Sequence, residues 1–143
     1  VIDPHPTRSG PGRVLIAVYG LFALAATSRA VVQLITDFQD APLAYLLSAF
    51  SGLVYILATV SLALGSRTGR GMAWATIGTE LVGVLTVGTV SVLAPQEFPR
   101  ATVWSVYGIG YGFVPLVLPF LGLFWLWRTR SRTTPSSPAR GRD

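Results

Sequence analysis

The chain of 143 residues has no cysteine. That excludes disulfides, thiol redox chemistry and thiolate metal sites. Its one histidine, His5, precedes the first apolar run, so no pair of histidines can hold a haem between helices of one chain. Lysine is absent too, and all eleven basic residues are arginine. Charged residues make up 12% of the chain against a hydrophobic share of 51%, too few for an ordinary soluble surface. No Ser–His–Asp set, metal-ligand spacing or nucleotide fingerprint occurs. Hence no catalytic residue, no cofactor-binding residue and no metal ligand is assigned, no cofactor is expected, and the chain reads as not an enzyme. The net charge of +5 raises the question of nucleic acid. The arginines lie at the edges of apolar runs and near the C-terminus, where membrane topology accounts for them and no nucleic-acid partner is needed.

What the chain does have is apolar sequence in four long runs, the length that crosses a bilayer as a helix. They cover about 14–35, 43–64, 72–94 and 101–127. The reading is one all-α domain, a four-helix transmembrane bundle over 14–128, with a Pro- and Gly-rich leader at 1–13 and a disordered tail at 129–143. A signal peptide is the competing reading of the first run, but the run is long for that and Arg29 interrupts any clean cleavage site. The leader, the second loop and the stretch that follows the fourth run, from Arg128 onward, hold nine arginines. The first and third loops hold one, Arg100, together with the acids Asp37, Asp40 and Glu97. Those three acids read as a solvated rim rather than a cation site. An even number of spans puts the basic segments on one side, so both termini are expected to be cytoplasmic. Arginine without lysine, amid abundant Ala, Gly, Val and Pro, suits a high-GC bacterium and hence a bacterial cytoplasmic membrane.

Small residues mark where helices approach. Ala44, Ser48 and Gly52 recur at i, i+4 and i+8, and Gly108 and Gly112 form a GxxxG pair. Thr76, Thr79, Gly83 and Thr86 suit a packed face of the third span. Pro42 suits the first turn of the second helix. The fourth run is longer than the hydrocarbon core and carries Pro115 and Pro119, so a kink or break is expected within Gly112–Pro119. Tyr107, Tyr111 and the two prolines would line any cavity there. The run ends in Phe124, Trp125 and Trp127, an aromatic belt followed by arginines.

Two charges interrupt the apolar runs. Glu80 falls near the bilayer midplane, where a carboxylate must be protonated, paired or wet. It reads equally as a protonated acid bonded to a neighbouring group or as an ion or proton site. Arg29 reads as a snorkelling side chain accompanied by Gln33 and Asp37, or as the partner of Glu80. Glu80, Arg29, Gln33 and Tyr111 form the candidate intramembrane polar site.

Several segments carry a resemblance: Ala41–Ser48, Glu80–Val84, Ala101–Ser105 and Gly110–Pro119. They resemble small, uncharacterised four-span integral membrane proteins of actinobacteria, over about Arg13 to Arg128. The resemblance implies the four-span fold and brings no activity. Small multidrug transporters also have four spans and one membrane glutamate, but theirs lies in the first span, and no residue is carried over. The expected role is that of an accessory or structural subunit of a membrane complex, or a homo-oligomer, in contact with the lipid bilayer and a membrane-protein partner or itself. The alternative is a small transporter or proton-coupled carrier using Glu80.

Overall fold

The computed structural model describes residues 10–36 and 38–129. Three long helices run up, down and up: α1 (Gly10–Thr36), α2 (Pro42–Leu64) and α3 (Arg67–Leu93). A fourth, shorter helix, α4 (Val114–Thr129), follows an irregular stretch. The first three are long and apolar enough to cross a membrane. Short 3-10 turns at Phe38–Asp40 and Pro95–Glu97 connect them.

The helix boundaries differ from the expected ones for local reasons. Residues 10–13, read as leader, already belong to α1. The rest of the leader, Asp37 and the tail beyond Thr129 lie outside the described residues. The second loop shrinks to Gly65 and Ser66. Gly65 takes the left-handed conformation that ends α2 (φ 63°), and Ser66 caps α3 by accepting from the Gly69 amide at 3.1 Å. A cap of this kind satisfies one of the donors a helix start leaves open. Two residues between long helices force an antiparallel hairpin. Pro42 opens α2, where its missing amide costs nothing.

The fourth segment departs furthest from a helix over 101–127. Residues 101–104 are non-helical and Ser105–Tyr111 is a 3-10 stretch, which meets α4 at a bend of 99°. The break at Gly112 and Phe113 falls at the start of the expected window. Pro115 does not kink a helix; it sits in the first turn of α4, where the absent donor is harmless. Pro119 lies inside α4 without ending it. Within the 3-10 stretch Val106 (φ 49°), Tyr107 (φ 58°) and Gly108 (φ 85°) are all left-handed.

The outside is apolar. Leu21, Leu24, Leu53, Val82 and Phe120 are each more than half exposed. The inside holds Tyr19, Tyr55, Ile77, Val84, Trp104 and Leu126 in one cluster. Arg70 donates to the Leu126 carbonyl at 2.6 Å and to the Thr129 hydroxyl at 2.8 Å. The start of α3 therefore lies against the end of α4. A cation on the last carbonyls of a helix also opposes its dipole.

Candidate functional site

Glu80 stands at the middle of α3 and is 0% exposed. Ala73, Ile77, Glu80, Val84 and Val87 form the buried stripe of this helix, at intervals of three and four. Glu80 shares the phase of the apolar residues, so packing α3 buries it with them. From α1, the Tyr19 hydroxyl donates to Glu80 Oε2 at 2.6 Å across 61 residues of sequence. From α2, Tyr55 lies beside the same carboxyl. Its ring centroid is 6.2 Å from that of Tyr19, and its hydroxyl accepts from Trp104 Nε1 at 3.0 Å. From α4, Gly122 closes the fourth side; a Cβ there would stand 3.1 Å from the Tyr19 hydroxyl and from Ile77. Glu80 Oε1 has no hydrogen-bond partner among the described residues.

Arg29 does not reach Glu80. Its guanidinium donates to the Ala101 carbonyl at 2.7 Å and to the Tyr111 hydroxyl at 3.5 Å. It thus pins the irregular segment to α1 and does not pair with the acid; Asp37, its other expected companion, lies outside the described residues. Gln33 lies one turn on, half-buried, with its carbonyl oxygen unpartnered among the described residues. The four predicted polar residues therefore separate into Glu80 at the centre and Arg29 with Tyr111 toward one end, Gln33 lying a turn beyond Arg29 on α1. Rings connect the two places. Phe22 lies 5.6 Å from Tyr111 and 5.5 Å from Tyr55, centroid to centroid.

The small residues do two different jobs. Ala44, Ser48 and Gly52 are buried along α2, and a Cβ on Gly52 would stand 3.3 Å from the Thr27 backbone of α1. That is the close helix approach the stripe predicts. Gly108 and Gly112 are not a helix-packing pair, because their segment is not α-helical. Gly108 lies on the Pro115 ring, 2.6 Å from where a Cβ would be, and Gly112 supplies a left-handed turn. On α3, Gly83 and Gly88 make the receiving face. Each leaves room for a ring, Trp104 at Gly83 and Tyr107 at Gly88. Thr79 and Thr86, expected beside them, are exposed.

Irregular backbone inside a membrane protein must find its hydrogen bonds within the protein. Here Val106 donates to Ser91 Oγ at 2.7 Å, Thr102 to Ser105 Oγ at 2.8 Å, and Trp104 to Thr102 Oγ1 at 3.2 Å. The hydroxyls of Thr89 and Tyr107 lie 2.8 Å apart.

Sequence reading missed the partners of Glu80. The signal was present in Tyr19 and Tyr55, each a hydroxyl in the middle of an apolar run. A buried tyrosine hydroxyl ordinarily finds a polar partner. On the acidic rim, Asp40 and Glu97 are exposed.

Three hairpin-connected apolar helices, closed by a broken fourth segment and joined at a buried polar centre, define a helical membrane protein. No protein-family model, curated protein or solved structure matches the chain.

Proposed function

We propose that the chain is a non-catalytic component of a bacterial cytoplasmic membrane, an accessory or structural subunit of a larger complex or a homo-oligomer. The observation behind this reading is that its central acid is sealed. Glu80 is fully buried and bonded to Tyr19, and the cleft between α1 and α4 is not lined by it. A group so held is an interhelical fastening, and the surfaces left for work are the apolar helix faces. Affinity purification of the tagged chain from native membranes in mild detergent, followed by mass spectrometry, tests this. A stoichiometric partner or a stable homo-oligomer is expected. A stable monomer with no partner overturns the reading.

One observation favours a second reading, a small proton-coupled carrier. Glu80, set between two tyrosines, keeps one oxygen with no hydrogen-bond partner among the described residues, and intramembrane acids mark ion or proton paths. On that reading Glu80→Gln abolishes pH-dependent flux in proteoliposomes; unchanged flux removes the residue from any mechanism.

We further propose that both termini are cytoplasmic. The contact of Arg70 with Leu126 and Thr129, and the cleft shared by Pro11 and Arg128, bring the arginine-bearing ends together. Arginine is enriched in cytoplasmic loops.

A further inference from the structure

The geometry points to a binding site for one anionic phospholipid in the cleft between α1 and α4, its phosphate on Arg128 and an acyl chain along the groove. The cleft has a volume of about 690 Å³, within the range of about 300–1,000 Å³ that bound small molecules occupy. Pro11, Val14 and Val18 form its α1 wall, and Leu121, Trp125 and Arg128 belong to its α4 wall. The lining is apolar except at the arginine end. Val14 and Leu121 are both more than half exposed, so the groove opens sideways to the bilayer.

Arg128 selects the occupant. Arg70 and Arg29, by contrast, spend their guanidinium groups on carbonyls and hydroxyls of the bundle. Arg128 lines the cleft and makes no hydrogen bond or ion pair among the described residues. It sits in the last turn of α4, after Phe124, Trp125 and Trp127, aromatic residues of the type that settles at headgroup level. The Trp125 indole N–H has no acceptor among the described residues. Among the described residues, this end of the cleft thus has a cation without a partner, beside a groove lined by apolar side chains. Basic pockets between membrane helices take anionic headgroups in this way. The inference does not rest on the accessory-subunit reading.

Native mass spectrometry of the full chain tests it, with phosphatidylglycerol and phosphatidylcholine of identical chains supplied in equal amounts. One phosphatidylglycerol per chain is expected, retained about fivefold over phosphatidylcholine, the preference one arginine gives near an anionic lipid. Arg128→Gln brings the ratio to about one, whereas Arg67→Gln, an exposed arginine of the same end, leaves it unchanged. Leu121→Trp fills the groove and lowers retention of both lipids, with elution volume and melting temperature reporting that the bundle is intact. Equal retention of the two lipids by the unaltered chain overturns the proposal. So does an equal effect of Arg67→Gln and Arg128→Gln, which reports diffuse charge. A dimer that Leu121→Trp dissociates overturns it as well, because the groove is then filled by a second copy.

Discussion

At the scale of single residues, the bond between Tyr19 and Glu80 is the contact that ties α1 to α3 most directly. In hydrocarbon the alternative to such a bond is an unsatisfied polar group, although measured interhelical bonds in membranes are modest, on the order of 0.6–2 kcal/mol. Tyr19→Phe removes the donor and keeps the ring. It is expected to lower stability by about 1 kcal/mol, read as an earlier midpoint in detergent or denaturant unfolding. Glu80→Gln keeps an oxygen that accepts from Tyr19, so its loss is smaller. If Tyr19→Phe unfolds with the unaltered chain, the bond does not hold the helices. Glu80 was legible in the sequence as the one acid inside an apolar run. Its partner was not, because a pairing across 61 residues depends on how α1 and α3 are rotated about their own axes. Arg29 shows the same limit. Its charge was evident, but the Ala101 carbonyl it holds is backbone, free for bonding only because the fourth segment is irregular there.

At the scale of elements, α3 and the stretch from 101 to 113 fit as face and filling. Gly83 receives the Trp104 ring, and a Cβ there would stand 2.6 Å from it. Gly83→Ala therefore overpacks the interface and is expected to cost about 1–3 kcal/mol. Gly78→Ala, on the same helix with nothing near its missing Cβ, should gain about 0.5–1 kcal/mol by removing backbone freedom from the unfolded chain. Thermal unfolding of the two variants side by side reads this contrast; parallel shifts would mean that the Trp104 contact is not what fixes Gly83. The left-handed turn stores strain at Val106, whose φ of 49° and ψ of 47° crowd its Cβ against the next carbonyl. Left-handed residues other than glycine cost about 1–2 kcal/mol each. Its side chain is only half-buried, so Val106→Gly gives up little packing. The variant should melt later than the unaltered chain; an earlier melt would show that packing outweighs strain. The prolines told of a break, since Pro115 cannot continue a helix begun upstream. They could not tell that the chain turns by 99° before α4 begins, because that course is set by the bonds made to Ser91 and Thr89 and by the ring-shaped gaps on α3.

At the scale of the whole molecule, the absence of cysteine makes orientation directly measurable. Single cysteines placed at Thr68, by the α2–α3 turn, and at Gln96, by the α3–α4 connection, both fall on exposed residues. In intact cells a membrane-impermeant maleimide should label Gln96→Cys and spare Thr68→Cys until the membrane is opened. The reverse pattern would place the arginine-bearing end outside. By itself the sequence determined the helical class, the number of apolar runs, a break between the second and third runs within 65–71, and the buried acid. Those follow from composition, periodicity and local backbone preference, which act within a few residues. The tertiary structure alone decided that Glu80 bonds Tyr19, that Arg29 pins the broken segment, that Gly83 and Gly88 seat aromatic rings, and that α1 and α4 leave a cleft ending at Arg128. Each depends on the rotation and offset of one helix against another. Apolar faces of nearly uniform hydrophobicity do not encode that offset; close packing and the few polar groups that must find partners do.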